Sequence, residues 1–174
     1  PLQLALPERV SVFSTPTLVG DSLWVPYGTT ADGLRAACAD AAAAQPGGAP
    51  LSAIFCHADV VGGMMNEGGA SSVGLPPTAC PPLPTVVYSG HYHKPHHVSE
   101  PAARGRTIRY VGSSYQTSMA EAGQAKALLV LDRENGWRAD AEVGPDPGRR
   151  HHVRRGRAGQ LRTSELAAPG PALS

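Results

Sequence analysis

Cysteine is scarce in this chain. Only Cys38, Cys56 and Cys80 occur among 174 residues, an odd number without Cys-x-x-Cys spacing. That excludes a disulfide framework and suits a reducing, cytoplasmic compartment, with the thiols buried or incidental rather than ligands. No run of eighteen apolar residues is present, so no membrane-spanning helix is expected. No charged segment leads into an apolar one with a cleavage site, as a secretory leader requires. Excess charge is missing too: the formal net charge is +1 and by itself names no partner.

What is there is enough for one domain. Hydrophobic residues make up 41% of the chain, sufficient for a core. Twenty Gly and seventeen Pro make about a fifth of the residues conformationally special, so many loops are expected. The basic residues are uneven, with Arg149, Arg150, Arg154, Arg155, Arg157 and Arg162 crowding the end beside His151 and His152. Such a cluster can grip phosphates through counterion release. The alternative is a solvated low-complexity tail, suggested by thirteen Arg against two Lys and by abundant Ala, Gly and Pro. Residues 145–174 cannot supply a core and read as a disordered tail behind a domain spanning 1–144.

Within that domain, residues 9–15 alternate Val10 and Val12 with polar neighbours and read as a strand, and 23–27 as a second. Turns are expected at Thr15-Pro16 and Gly20-Asp21. Leu34, Ala37, Cys38 and Ala41 fall at helical spacing, so a helix is expected over 30–45. Thr29 would be its N-cap with Asp32 in the capping-box position, and Pro46-Gly47-Gly48 would end it. Strands follow at 52–55 and 85–88, separated by a long loop over 61–84 that holds Met64, Met65, Asn66 and Glu67. Further strands are expected at 107–111, 127–132 and 137–143, with a hairpin turn at 133–136.

Tyr88-Ser-Gly-His-Tyr-His-Lys-Pro95, taken with Ile54-Phe-Cys-His57, is the most informative pattern. It sets His57, His91 and His93 at the ends of two buried strands, where α/β proteins keep their chemistry. Neutral imidazole is a common ligand for divalent transition metals, and Gly90 permits a close backbone approach. A metal site is the first hypothesis.

The lone His closing one strand and the Gly-His-x-His closing a later one resemble the last two motifs of the calcineurin-like metallophosphoesterases. The following Tyr110-Val-Gly-Ser-Ser-Tyr-Gln-Thr-Ser118, Glu121-Ala-Gly-Gln-Ala-Lys126 and residues 128–132 resemble the branch of DNA-repair exonuclease subunits (SbcD-like). The likeness covers roughly residues 8 to 143. The family's earlier motifs, Asp-x-His, Gly-Asp-x-x-Asp and Gly-Asn-His-Asp or Glu, do not occur in the 174 residues. The resemblance therefore implies an α/β fold, the C-terminal half of a two-sheet sandwich flanked by helices, carrying only the His-rich half of a site. It implies two divalent ions, Mn²⁺ with Zn²⁺ or Fe²⁺ as alternatives, with His57 and His91 sharing one and His93 serving the other. It also implies a phosphoester substrate, DNA before small phosphoesters, and as partners an N-terminal half or an ATPase subunit, with no membrane.

Other residues keep two readings each. Lys94 is a phosphate-attracting point charge or a surface lysine, and Ser113 and Ser114 are substrate contacts or ordinary capping at a strand end. Asp59 is an imidazole-orienting carboxylate or a turn former, while His96 and His97 are outer contacts or solvated loop residues. Glu121 stabilises local structure rather than acting as acid or base. Three functions remain open: a metal-dependent phosphoesterase acting on DNA, a catalytically incomplete half that works only with a partner chain, and a simple metal-binding module.

Overall fold

The computed structural model describes residues 10–66, 69–98 and 105–143, so the expected disordered tail at 145–174 lies outside the described residues, as do Arg9 and Glu67. Within them the chain is mixed α/β. Strands β1 (Thr17–Val19) and β2 (Ser22–Val25) pair as a hairpin in which Val19 faces Ser22. The link is Gly20-Asp21, and Gly20 sits at φ 62, the left-handed conformation that a two-residue hairpin link requires and that glycine adopts without cost. The strand expected at 9–15 is not found over its described part, and Val10 and Val12 lie exposed. The hairpin link pairs the residues immediately before it, so the edge strand falls at 17–19 instead.

Helix α1 (Ala31–Ala44) begins one residue later than expected. Thr30 is its N-cap, the Oγ1 accepting from Gly33 N at 3.1 Å. Thr29 stands one residue before that cap and its hydroxyl donates to Pro26 O at 2.9 Å, while Asp32 turns to Arg35 at 2.7 Å. Leu34 and Ala41 are buried against the sheet, and the helix ends at the 3-10 turn of Pro46–Gly48.

The chain then runs through β3 (Ala53–Cys56), β4 (Met64–Asn66), β5 (Gly69–Ala70), β6 (Val86–Ser89), β7 (His96–His97), β8 (Thr107–Tyr110), β9 (Leu128–Asp132) and β10 (Arg138–Val143). Six of these strands form one sheet in the order β1-β2-β3-β6-β8-β7, in which β2, β3, β6 and β8 run parallel and the two edge strands antiparallel. The loop expected at 61–84 carries structure of its own. Val60 bridges Leu75, β4 pairs with β5, and Gly62 N donates to Ser71 O at 2.8 Å while Ser71 N donates to Gly63 O at 2.7 Å.

Register divides the sheet into two faces. Leu23, Ile54, Val87 and Ile108 are cross-strand neighbours, all at most 2% exposed, and pack under α1 with Leu34. On the other face Trp24, Phe55 and Tyr88 are neighbours, with ring centroids 4.5 and 5.7 Å apart. The β9–β10 hairpin lies over that aromatic row. Trp137 meets Phe55 edge-on at 5.4 Å, its carbonyl accepts from the Tyr88 hydroxyl at 2.8 Å, and its Nε1 donates to Asp21 at 3.1 Å. Arg133 Nε also donates to Asp21 at 3.1 Å, tying the two hairpin turns together.

Ile54→Ala is expected to cost about 2–5 kcal/mol in chemical unfolding, because the site is fully enclosed and cannot collapse. Trp24→Ala, on the partly open face, is expected to cost less, and an equal or larger loss there would place the main core on the wrong side of the sheet.

Candidate functional site

The four parallel strands end level with one another: Val25 pairs with Cys56, Cys56 with Ser89, and Ser89 with Tyr110. The residues that follow each strand therefore emerge along one edge. From β2 comes Tyr27, from β3 His57, and from β6 Gly90 and His91.

Because Cys56 faces Ser89, His57 lies beside Gly90, whose N–H donates to Cys56 O at 3.0 Å. A Cβ on residue 90 would sit 2.6 Å from His57 Nδ1, so only glycine lets the imidazole lie across the neighbouring backbone. His91 then adopts φ 87, a left-handed conformation that non-glycine residues rarely occupy and that costs on the order of 1–3 kcal/mol. The outcome is that the two imidazoles meet, ring centroids 5.6 Å apart and planes at 89°. Tyr27, exposed at the rim, approaches His57 edge-on at 5.8 Å and stacks on His91 at 6.3 Å. A cleft of about 290 Å³ opens beside the pair, lined by Tyr27, Thr29, Thr30, His57, Asp59 and Leu75 among others.

The turn after β3 is held from below. Ser89 Oγ, fully buried, accepts from Ala58 N at 3.1 Å. The Tyr110 hydroxyl donates to Ala58 O at 2.9 Å and accepts from Val60 N at 2.8 Å. Burial and the neighbouring His91 push the His57 imidazole below the usual histidine range, which favours the neutral ring that a metal needs.

Two imidazoles sharing an ion through bonds of about 2.0–2.1 Å hold their ring centres about 5–6 Å apart. The observed 5.6 Å lies in that range, a spacing compatible with two donors to one divalent cation. His93 does not join them. Its Nδ1 lies 2.9 Å from Glu121 Oε1 and 3.0 Å from Thr117 Oγ1. Among the described residues no group of three or more His, Cys, Asp and Glu is disposed to hold a metal ion.

Of the expected substrate contacts, Lys94 lines a separate cleft of about 430 Å³ with Pro95 and residues 122–125. Ser113 Oγ accepts from Lys126 Nζ at 2.9 Å and donates toward Tyr115 O at 2.8 Å, while Ser114 is exposed. Asp59 accepts the Tyr92 hydroxyl rather than orienting an imidazole. His96 is a structural residue, not a solvated one. Its Nδ1 lies 2.7 Å from Lys94 O, its Nε2 accepts from Met64 N at 2.8 Å, and its ring stacks on Tyr110 at 4.7 Å. A carbonyl on one nitrogen and an N–H on the other leave room for one proton, so this ring is neutral. His97 is exposed.

The three cysteines are free, and burial pushes the thiols up to about 11 for Cys38 and Cys56 and about 12 for Cys80, which makes them poor ligands and nucleophiles. Sequence reasoning overlooked the contacts of Tyr27 and of Glu121. Ser118-x-x-Glu121 has the spacing of a capping box ahead of a 3-10 turn, a signal that could have tied Glu121 to Ser118, whose Oγ lies 3.1 Å from its Oε1, but not to His93.

No family model, curated protein or solved structure matches the chain. Among the described residues no helix is long and apolar enough to cross a membrane.

Burial lowers the His96 pKa as well, with Lys94 opposing the charged ring. A group whose folded pKa is depressed stabilises the fold above its unfolded value, about 6.5, and loses that contribution as pH falls through the folded value. His96→Phe is expected to leave the Met64 N–H without a partner, cost about 1–3 kcal/mol at neutral pH, and flatten part of the loss of stability on acidification. Urea unfolding across that pH range checks this, and an unchanged acid limb in the variant would contradict it.

Proposed function

We propose that this chain carries the His-rich half of a metal-dependent phosphoesterase site, with His57 and His91 holding one divalent cation and DNA as the substrate class. The observation that carries the reading is the His57–His91 pair, ring centroids 5.6 Å apart at the carboxyl edge of adjacent parallel strands, with burial favouring the neutral ring of His57. Its likeness to the Gly-His-x-His of the metallophosphoesterases supports the reaction class, and the run from Tyr110 to Ser118 supports a repair-nuclease substrate. Mn²⁺ suits such imidazole and oxygen sites, with Zn²⁺ and Fe²⁺ as alternatives. A cation bound there would polarise a phosphoester oxygen and lower the pKa of an attacking water.

The chain's own residues have separable tasks in this reading. Gly90 gives His57 room to lie across the strand end, and Ser89 and Tyr110 fix the turn that carries it. Tyr27 restricts the ring of His91 from the open side. Lys94 supplies positive charge for an approaching phosphate, and the resemblance makes His93 the donor toward a second cation.

A second reading has its own support. With two imidazoles together and no group of three donors among the described residues, those residues are short of a complete shell and of a bridging carboxylate. Donors from a partner chain, one bearing the family's earlier motifs or an associated ATPase subunit, would then be needed for turnover.

Calorimetric titration with Mn²⁺ and with Zn²⁺ is expected to reveal weak binding that His57→Ala, His91→Ala and Gly90→Ala each weaken by at least about tenfold, while His97→Ala does not. In parallel, Mn²⁺-dependent hydrolysis is compared on linear duplex DNA and on p-nitrophenyl phosphate. Cleavage of DNA supports the nuclease reading, turnover of the monoester alone removes it, and metal binding without turnover of either supports the half-site reading. Binding unaltered by both imidazole substitutions would overturn the site itself.

A further inference from the structure

Glu121 is buried, while the His93 side chain it contacts is 55% exposed. Around the carboxylate stand Lys126 Nζ at 2.7 Å, Thr117 Oγ1 at 2.5 Å and its N–H at 3.3 Å, Ser118 Oγ at 3.1 Å, Ser113 Oγ at 3.2 Å and His93 Nδ1 at 2.9 Å. Lys126 Nζ pairs with the Glu121 carboxylate, and the hydroxyls of Thr117, Ser113 and Ser118 lie within hydrogen-bonding distance of it, a setting that suits the ionised form. An ionised carboxylate accepts and cannot donate. Thr117 has one hydroxyl proton, and at 2.5 Å from Oε1 it is given to Glu121. Thr117 Oγ1 is therefore also an acceptor where it lies 3.0 Å from His93 Nδ1. Both neighbours of Nδ1 being acceptors, the proton must sit on Nδ1.

We propose that Glu121 is a positioning residue that fixes His93 as the Nδ1–H tautomer, so that His93 meets a cation through the lone pair of Nε2. The inference rests on the metal reading above and specifies the atom through which His93 would act. The backbone of His93 is held by the same cluster, its carbonyl accepting from Lys126 Nζ at 2.7 Å and from Ser113 N at 3.1 Å. Gly112, at φ 77, makes this packing possible, since a Cβ there would lie 2.9 Å from His93 O. Ring and main chain are thus aimed together by residues 112–126. A carboxylate on the far nitrogen also raises the basicity of the near one, which strengthens it as a ligand.

Anchoring of the 113–126 segment is a role that Glu121 would have even if His93 did nothing, so the test must read the imidazole itself. Long-range ¹H–¹⁵N correlation spectra of the ¹⁵N-labelled protein, recorded at mildly alkaline pH, report each ring's tautomer, and Zn²⁺ titration reports which nitrogens bind. The wild-type protein is expected to show a protonated Nδ1 and an unprotonated Nε2 at His93, with Nε2 shifting on addition of Zn²⁺. Glu121→Gln is expected to mix the tautomers and weaken the His93 response about 10–100-fold. If that variant unfolds around the uncompensated Lys126 charge, Glu121→Leu combined with Lys126→Met removes the carboxylate and the charge together and carries the same expectation. A wild-type His93 protonated on Nε2, or a single tautomer and an unchanged Zn²⁺ response in a folded variant, would overturn the positioning role. If no nitrogen of His57, His91 or His93 responds to Zn²⁺, the metal reading falls and the ligand role of His93 with it, whatever the tautomer.

Discussion

The level ending of β3 and β6 is the constraint on which the site depends. The Cys56–Ser89 pairing sets His57 beside Gly90 and brings His91 within one ring's width of it. A one-residue slip of β6 would reverse every side chain of that strand between the faces, moving Val87 out of the core and Tyr88 into it. Core packing of Leu23, Ile54, Val87 and Ile108 therefore fixes the register, and the register fixes the imidazole pair. Burial provides the energy for a geometry that includes one unfavourable backbone conformation, at His91.

The histidines near this edge divide by environment. His57 and His91 meet with ring centroids 5.6 Å apart, and His57 borders an open cleft. His93 is tied through Nδ1 to a buried carboxylate, an arrangement that leaves its other nitrogen available. His96 is spent on structure, bridging the Lys94 carbonyl and the Met64 amide while stacking on Tyr110. Chemically identical side chains within a few residues thus differ in function because each ring's second nitrogen meets a different partner.

Much of the central frame was legible in the sequence. The runs at 52–55 and 85–88 announced themselves by continuous apolar composition, and Leu34 and Ala41 by helical spacing, and both readings match within a residue or two. The exposed strand at 9–15 failed because alternation signals a possible strand but not whether a neighbouring edge exists for it. The cap fell on Thr30 rather than the expected Thr29 because the helix starts at Ala31, a one-residue offset that two adjacent threonines do not reveal by themselves. The meeting of His57 and His91 was implied by two strand ends, yet it required that those strands be neighbours in register, which spacing alone does not state. The partnership of Glu121 with His93 spans 28 residues and depends on the fold of the intervening chain, so no local pattern could reveal it.

Anomalous scattering at the zinc edge from crystals grown with Zn²⁺ addresses the shared-cation claim most directly. One ion is expected within about 2.0–2.2 Å of a ring nitrogen from each of His57 and His91. An ion bound elsewhere while those two rings stay unligated would contradict the claim that this strand edge is a metal site.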